Sequence, residues 1–464
     1  MKDPMLLWTP QAWVHGGWRD SVLLRIGADG RWADVRADTP APAQAQRLPG
    51  PALPGLVNAH SHAFQRAFAG MAERRSAEHD DFWSWRDRMY GVALRMSPAL
   101  LQAVAAQLYA ELALGGYTQV CEFHYLHHAP DGSRYDDPLA MPRALIQAAQ
   151  EAGIGLTLLP VLYERAGFAQ PTLREDQRRF SARVDDVLDL RDGIRALRQP
   201  RISAGVAIHS LRAATPDAIT RLLAALDGDV APIHVHIAEQ TSEVDDCVAA
   251  TGHRPIEWLA RHVAIDERWQ LVHATHATPE EIEAVARSGA GVVLCPSTEA
   301  NLGDGLPDLP RWLGQRVPLA IGSDCHVSRT WAPELRLLEY GQRLVQRQRN
   351  VSAAPELGQG LEASAARLFN RALAGGAAAA GMGRWGLMPG ARADLLVLDP
   401  LAAGLQGVPG SHQLDALVFA TDAPSFASVW VAGRQVVRDG RHLSQGPIAQ
   451  GFAGAMATLW GEAT

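Results

Sequence analysis

The sequence predicts an α/β protein in which a (β/α)8 TIM-type barrel is joined to a small composite β-sandwich domain formed by both chain ends. Three observations lead to this fold class. Eight short, near-continuous apolar runs occupy the middle of the chain, as strands buried on both faces require. Segments rich in alanine, leucine and arginine, with helical character, follow most of these runs. The two chain ends instead carry β-type segments separated by short turns.

The two chain ends are expected to pair into one small domain. Near the start, LLWTPQAWV is followed by SVLLRIGADGRWADVRAD, with Ala28-Asp29-Gly30 as a hairpin turn. Near the end, ADLLVLDP at 393–400 precedes SVWVAGRQVVRDGRHL at 428–443. Because chain termini often lie close together, these segments can share one domain. We therefore predict a β-sandwich domain from residues 1–52 and 387–464.

The remaining segment, residues 53–386, is predicted to form the barrel. Its length of about 330 residues suits eight β/α repeats, which typically need about 250 residues plus insertions. A doubly wound open sheet is the main alternative, but no GxGxxG motif follows the first apolar run. The eight runs are PALPGLVNAHSH, YTQVCEFHY, IGLTLLPVLY, ISAGVAIHS, APIHVHIAE, QLVHATH, AGVVLCPSTEAN and VPLAIGSDC.

Composition excludes several classes of partner. The chain of 464 residues has a formal net charge of −7 and no block of like charges, which argues against nucleic-acid or membrane-surface binding. Its first residues lack the apolar stretch of a signal peptide, and no apolar run is long enough to span a bilayer. The four cysteines form no CxxC motif and suit reduced thiols. We therefore expect a cytoplasmic protein without a nucleic-acid or membrane partner.

The lysine content excludes several chemistries. Lys2 is the single lysine, although the chain has 43 basic residues. Schiff-base enzymes, pyridoxal-phosphate enzymes and P-loop NTPases all need an internal lysine. The same observation excludes a metal centre that is bridged by a modified lysine.

Polar residues collect where the predicted strands end. His60 and His62 share one face at the end of the first run, because side chains alternate along a strand. His236 lies in the fifth run, and Asp324 ends the eighth. The carboxyl ends of all barrel strands face one mouth, where active sites are built. Three neutral imidazoles and one carboxylate suit Zn²⁺ or Fe²⁺. His234 shares the strand parity of His236 and is expected to support the site; a structural or surface role is the alternative for any single histidine.

The same segments resemble the signatures of the amidohydrolase superfamily. PGLVNAHSH resembles its PGxxxxHxH opening, HVHIAE, LVHATH and IGSDC resemble later strand motifs, and GLMPGARADLLVLD resembles its β-sandwich segment. The resemblance covers nearly the whole chain and implies a metal-dependent hydrolase. Binuclear members carry a carboxylated lysine on strand four, where this chain has His209-Ser210. The resemblance therefore implies one divalent ion per chain, with Zn²⁺ favoured over Fe²⁺.

Three residues are placed for proton transfer and charge stabilisation. Glu239 follows His236 in an HxxE pattern and can hand a proton to the substrate nitrogen. Asp324 can accept a proton from the attacking water. His273 can orient the nucleophile and stabilise charge at the attacked carbon. The alternative for Glu239 is a solvated loop glutamate.

Within the superfamily, further stretches of the sequence resemble one particular family. The stretches AHSHAFQRAFAGMAERR, DDFWSWRDRMY, EFHYLHH and AIHSLRA resemble the formimidoylglutamate deiminase family of bacterial histidine degradation. This resemblance implies that N-formimino-L-glutamate is hydrolysed to N-formyl-L-glutamate and ammonia, and it favours a homodimer. It also implies five substrate-binding residues, which are Gln65, Arg86, Tyr125, His209 and Arg212.

Arg86 and Arg212 are suited to binding a small dicarboxylate substrate, because a guanidinium binds a carboxylate through two parallel hydrogen bonds. Arg86 could instead pair with Asp87 or Asp81, and Gln65 could cap a helix. Two other functions stay open at this point. A deaminase or chlorohydrolase of the same superfamily could act on a heterocycle, although two arginines in the mouth argue against it. The second open function is that of a catalytically inactive barrel used for binding. Such a protein would be expected to have lost metal ligands, whereas all four are present here.

Overall fold

The computed structural model describes residues 5–75, 81–358, 360–423 and 425–461. Lys2 lies outside these residues. The described chain forms two nine-stranded sheets, one that closes into a barrel and one built from both chain ends. Among the described helices, none combines the length and the apolar character needed to cross a membrane.

The first five strands all belong to the chain-end sheet: β1 (Met5–Val14), β2 (Gly17–Ile26), β3 (Trp32–Arg36), β4 (Gln46–Arg47) and β5 (Ala52–Leu53). β1 and β2 form an antiparallel hairpin through His15 and Gly16, whose φ angles are 53° and 80°. Two consecutive positive φ values match the twist of the flanking strands, as in a type I′ turn. The predicted turn Ala28-Asp29-Gly30 connects β2 to β3.

The nine parallel strands of the second sheet confirm the predicted (β/α)8 barrel. Each predicted apolar run contains a strand, and the fourth run is divided at Gly205 into two short strands. A parallel bridge between Ser61 and Asp324 brings the last strand beside the first. The strands are β6 (Leu56–Ser61), β7 (Tyr117–His124), β8 (Gly155–Leu162), β9 (Ile202–Ala204), β10 (Val206–Ile208), β11 (Ile233–Ile237), β12 (Trp269–His273), β13 (Gly291–Leu294) and β14 (Leu319–Ile321).

Helices cover the barrel, and several begin at a Ser-Pro or Thr-Pro pair. The hydroxyls of Ser97, Thr215 and Thr278 accept main-chain N–H groups of the first turn, and the following proline has no N–H to satisfy. The helices are α1 (Phe82–Ala93), α2 (Pro98–Leu114), α3 (Ala140–Ala152), α4 (Val184–Ala196), α5 (Pro216–Ala225), α6 (Thr241–Thr251), α7 (Pro255–His262), α8 (Pro279–Ser288), α9 (Pro296–Leu302), α10 (Leu309–Gly314), α11 (Trp331–Gln346), α12 (Ser364–Ala379), α13 (Gln413–Phe419) and α14 (Gln445–Trp460).

The last four strands complete the chain-end sheet: β15 (Leu395–Leu398), β16 (Phe426–Val431), β17 (Arg434–Arg438) and β18 (Arg441–His442). The sheet order is β18-β17-β16-β15-β5-β1-β2-β3, with β4 beside β1. Because β15 pairs with β5, strands from both ends share one sheet, as predicted. Trp32, Leu24, Leu395 and Trp430 belong to its own apolar core.

The C-terminal region also contributes helices to the barrel's outer layer. α14 packs against α2, and its Ile448, Ala455 and Leu459 side chains are buried in the barrel's core cluster. α13 packs against α11 and α12. Residues 387–464 therefore do more than complete the chain-end sheet, and the division of the chain at 52/53 and 386/387 stays a prediction.

Candidate active site

Four side chains meet at the carboxyl ends of β6, β11 and β14. The Nε2 atom of His60 lies 3.1 Å from that of His62 and 3.0 Å from that of His236. Asp324 Oδ1 lies 3.4 Å from His60 Nε2 and 3.3 Å from His62 Nε2. Donors held about 2.0–2.1 Å from one tetrahedral ion are about 3.3 Å apart. The four atoms are therefore spaced as the donors of a single cation would be.

The backbone brings these donors together where β14 meets β6. The main-chain N–H of Asp324 donates to the carbonyl of His60 at 3.1 Å. Gly322 permits this close approach, because a Cβ atom there would lie 2.6 Å from His60 Cβ. His60 and His62 share one face of β6 through the alternation of side chains along the strand.

The electrostatics of the cluster match the chemistry of metal ligands. Burial lowers the pKa of His60 to about 3 and also lowers the pKa values of His62 and His236, so all three imidazoles are neutral at pH 7. Burial would raise the pKa of Asp324, but His60, His62 and His273 hold it below its usual value. Three neutral imidazoles and one carboxylate are a donor set that suits Zn²⁺ or Fe²⁺.

A hydrogen bond also fixes one of these imidazoles. His62 Nδ1 lies 3.0 Å from the carbonyl oxygen of Phe123, which can only accept, so the proton is on Nδ1. The lone pair of His62 Nε2 is then free for a cation, as is typical of metal-binding histidines. The residues present therefore fit a divalent ion.

Glu122 supports His62 from both sides, and the sequence did not indicate this role. Its carboxylate on β7 accepts hydrogen bonds from the Ser61 hydroxyl at 2.7 Å and from the Ala63 main-chain N–H at 2.6 Å. The Tyr109 hydroxyl donates to the same carboxylate at 3.1 Å. The signal that could have revealed Glu122 is a charged residue inside the apolar run YTQVCEFHY.

A second network that the sequence did not reveal joins β6 to the end of β14. Ser323 donates its N–H to Asn58 Oδ1 at 2.8 Å, and Asn58 Nδ2 donates back to the Ser323 hydroxyl at 2.7 Å. His326 Nδ1 lies 2.9 Å from that hydroxyl, and His326 Nε2 donates to the carbonyl of His62 at 3.0 Å. These buried bonds hold the strand ends that carry the ligands.

Glu239 and His273 lie beside the ligand cluster. His273 Nε2 is 3.7 Å from Glu239 Oε1 and 3.7 Å from Asp324 Oδ2. On the other side of the ring, His273 Nδ1 is 3.4 Å from Glu299 Oε1. Glu239 is only 7% exposed, so the alternative of a solvated loop glutamate is wrong.

The pKa values of Glu239 and His273 are both raised, which suits Glu239 to acid–base chemistry and His273 to charge stabilisation. Burial raises the pKa of Glu239 to about 7, although His273 opposes the shift. A carboxyl with a pKa near 7 can both gain and lose a proton at neutral pH. Burial would lower the pKa of His273, but the carboxylates of Glu239, Glu299 and Asp324 raise it above its usual value. His273 is thereby suited to stabilise developing negative charge.

One cavity opens over these residues. Every predicted ligand, proton-transfer residue and substrate-binding residue lines it except His60, which is fully buried beneath it. Aromatic side chains that the sequence analysis did not assign complete the wall, among them Trp85, Tyr90, Tyr163 and Phe180. The predicted ligands, proton-transfer residues and substrate-binding residues therefore share a single cavity.

Two guanidiniums reach this cavity from different elements. Arg86 lies on α1 and Arg212 follows β10, and both lie over the ring of Trp83, with Cζ atoms 4.5 Å and 5.4 Å from its centroid. Arg212 is 8% exposed and forms no hydrogen bond or ion pair with any residue that the structure describes. Trp83 is a contact that the sequence analysis missed. Cation–π contact holds the two like charges near one another.

Of the two ion-pair partners considered for Arg86, Asp87 lies within reach and Asp81 has another role. Asp87 Oδ1 lies 3.7 Å from Arg86 Nη2, but it lies closer, at 3.1 Å, to Arg174 Nη2. Asp81 caps α1 by accepting the main-chain N–H groups of Trp83 and Ser84, so the Asp81 ion pair is wrong.

Gln65 and His209 also occupy the cavity wall, whereas His234 does not. Gln65 Nε2 donates to the Tyr125 hydroxyl at 3.3 Å rather than capping a helix. His209 Nδ1 lies 3.2 Å from the Ser210 hydroxyl, and its ring packs on neighbouring aromatic side chains. His234 lies away from the ligand cluster and donates from Nε2 to the carbonyl of Ala379 at 2.8 Å. No contact recorded for the described residues joins the His234 side chain to the four ligands, so its predicted role in supporting the site stays a prediction.

Comparison with known proteins now places the chain. The family model described as the Amidohydrolase family matches residues 52–436. The chain belongs to the amidohydrolase family. The formimidoylglutamate deiminase of Pseudomonas aeruginosa is 47% identical to this amidohydrolase over 457 residues, which cover 98% of this chain and 99% of that one.

Solved structures agree with the family assignment. The crystal structure of an amidohydrolase from Brucella melitensis is 40% identical to this family member, covers 98% of this chain and 99% of its own, and superposes with a TM-score of 0.92. A structure described as an adenosine deaminase from Xanthomonas campestris with bound zinc is 24% identical, covers 98% and 97%, and has a TM-score of 0.79. At that identity it supports the fold alone.

Proposed function

We propose that this amidohydrolase hydrolyses N-formimino-L-glutamate to N-formyl-L-glutamate and ammonia. The observation that carries the proposal is the pairing, in one cavity, of a cation-binding cluster with two arginines. The substrate has the same polarity, with a formimino carbon at one end and two carboxylates at the other. The name of the 47% identical relative supports the same reaction.

The arginines supply the recognition of the dicarboxylate end. Arg212 is buried without a hydrogen-bond or ion-pair partner in the described chain, and a buried cation without an opposite charge is costly unless a ligand neutralises it. Planar guanidiniums bind carboxylates in a fixed, bidentate geometry. Gln65, Tyr125 and His209 add neutral hydrogen-bonding groups between the arginines and the ligand cluster. A neutral heterocycle would leave Arg212 without an ion-pair partner among the described residues.

His60, His62, His236 and Asp324 would hold one divalent ion, and we favour Zn²⁺ over Fe²⁺. When bound, the ion supplies a Lewis acid and lowers the pKa of water toward ~7. A single ion is expected because the internal lysine of binuclear relatives is absent from the sequence.

The residues of the chain would then move two protons. Asp324 accepts a proton from the attacking water, whose oxygen bonds to the formimino carbon. Glu239 donates a proton to the terminal nitrogen, which gives a tetrahedral adduct with one hydroxyl and one amino group. Glu239, now a carboxylate, then moves the hydroxyl proton to that amino group, the bond between carbon and nitrogen breaks as the carbonyl forms, and ammonia leaves. The proton held by Asp324 afterwards returns to Glu239. His273, positioned 3.7 Å from both carboxylates, stabilises the charge at the attacked carbon.

Replacing a ligand should abolish metal binding. In His236→Ala, the loss of one of three imidazoles should reduce the metal content far below the one ion per chain expected for wild type. Arg212→Met is the control, since this arginine contacts no ligand and should retain full occupancy. Plasma mass spectrometry of the purified proteins measures both. Two tightly bound ions per wild-type chain, or an unchanged content in His236→Ala, would contradict the single-ion site.

The proposed substrate can be tested against its main rivals by ammonia release. We expect formiminoglutamate to exceed guanine, cytosine and adenosine in kcat/KM by about 10⁴-fold or more, because a site that hydrogen-bonds polar groups rejects ligands lacking them to that extent. A heterocycle that reacts faster would assign the chain to the heterocycle deaminases. The homodimer and the cytoplasmic location expected from the sequence stay predictions.

A further inference from the structure

Glu299 lies behind the active site, on the far side of His273 from the cavity. It is 2% exposed, in the first turn of α9, which follows β13. Its Oε1 atom accepts the main-chain N–H of Cys295 at 2.9 Å. This bond ties the carboxylate to the end of β13 and so fixes its place beside the Nδ1 edge of the His273 ring.

The contact between Glu299 and His273 lies at the Nδ1 edge of the ring. Glu299 Oε1 lies 3.4 Å from His273 Nδ1, whereas the Nε2 edge of the ring faces Glu239 and Asp324. A carboxylate can only accept a hydrogen bond, so Nδ1 must carry a proton to interact favourably with it. Rotating the ring by 180° would remove this contact. Contacts of this kind often shorten once the substrate is bound.

We propose that Glu299 is a positioning residue that holds the orientation of the His273 ring through its Nδ1 edge, so that Nε2 points at the reacting carbon. This inference rests on the proposed function of the same site. Carboxylates that accept the second N–H of an active-site imidazole orient it in this way. Glu299 contacts neither the cavity nor the four proposed ligands, so its effect would act through His273.

A purely structural role for Glu299 is the competing explanation, and the chain offers a matched control. Glu339 on α11 is also fully buried, and its carboxylate accepts the main-chain N–H groups of Val351 and Ser352, both at 2.9 Å, as well as Arg343 Nε at 2.7 Å. It contacts none of the proposed site residues. Glu339→Gln therefore reports what the loss of a buried, backbone-bound carboxylate does to stability alone.

The test compares Glu299→Gln, Glu299→Ala and Glu339→Gln as metal-loaded proteins. Glu299→Gln should lower kcat about 10- to 100-fold, the range typical of residues that support an active-site ligand, while KM and metal content stay near wild type. Glu299→Ala should lose more, because Gln can still present an oxygen to Nδ1. Glu339→Gln should lower the melting temperature and leave kcat near wild type.

The outcomes separate this inference from the proposed function. If wild type releases ammonia from formiminoglutamate and Glu299→Gln keeps its kcat, the positioning role is refuted alone. If wild type releases none, the proposed substrate is refuted, and crystal structures of wild type and Glu299→Gln then decide the positioning role. A rotated or shifted His273 ring in the variant supports the inference, and an unchanged ring overturns it.

Discussion

Glu239→Gln should retain the fold and the metal but lose kcat by about 10²–10⁴-fold, the contribution of a positioned acid–base group. Gln has nearly the same shape as Glu, yet it cannot carry the proton to the departing nitrogen. Glu239 is buried and its pKa is raised to about 7, which suits this task at neutral pH. Discontinuous assays of released ammonia at saturating substrate measure this change in kcat.

The same experiment needs a control for the loss of a buried carboxylate. Glu339→Gln provides it, because that residue lies outside the proposed site and should keep kcat. Metal content and melting temperature should show that Glu239→Gln is folded and loaded. A kcat within a few-fold of wild type in this variant would reassign the proton carrier to another group.

Arg212→Met should lower kcat/KM for formiminoglutamate roughly 30- to several-thousand-fold. Removing one member of a buried charge pair costs about 2–5 kcal/mol, and about 1.4 kcal/mol corresponds to a tenfold change. Arg86→Met should act in the same direction. Arg212→Lys should recover little, since an ammonium lacks the planar fork that binds a carboxylate. Metal content should stay at the wild-type value.

A matched arginine and a shorter substrate sharpen this prediction. A second cleft, also lined by Arg86 and Arg212, contains Arg174. Because Arg174 is already paired with Asp87 and Asp176, Arg174→Met should leave kcat/KM near the wild-type value. Formiminoglycine lacks the side-chain carboxylate and should be a poor substrate of wild type. Mutating the arginine that binds the side-chain carboxylate should also lower kcat/KM less for formiminoglycine than for formiminoglutamate, because formiminoglycine has no carboxylate for that arginine to bind. If Arg86→Met and Arg212→Met both process formiminoglutamate like wild type, the carboxylate-binding model is wrong.

The ligand cluster was accessible to sequence reasoning because its geometry follows from local rules. His60 and His62 lie two residues apart on one strand, so alternation places them on one face. The barrel topology then brings His236 and Asp324 to the same mouth, because parallel strands all end there. The barrel itself could be predicted because doubly buried strands have a near-continuous apolar pattern.

The supporting residues could not be predicted because their partners are remote in the chain. Glu122 binds Ser61 across 61 positions, and Asn58 binds Ser323 across 265 positions. No local period links such pairs, since they meet only when two barrel strands become neighbours. Trp83 was missed for a similar reason. Its part in the site depends on the packing of α1 over the mouth, where its ring contacts Arg86 and Arg212.

The region after residue 386 shows a second limit of pattern reasoning. Its β segments could be recognised from their turns and alternation, but the helix at Gln445–Trp460 packs on α2 of the barrel. The sequence of this helix contains no charged residue, so no polar face indicates which side is exposed. The placement is set by Ile448, Ala455 and Leu459, which find an apolar surface only in the folded protein.

Metal-dependent deimination of an acyclic dicarboxylate is tested most directly by analysis of the products. Metal-stripped protein and protein reconstituted with Zn²⁺ are each incubated with formiminoglutamate, and the products are quantified by NMR together with released ammonia. We expect N-formyl-L-glutamate and ammonia in equal amounts, formed only by the reconstituted protein. Glutamate with formamide as products, equal rates with and without metal, or no reaction in the reconstituted protein would contradict the account.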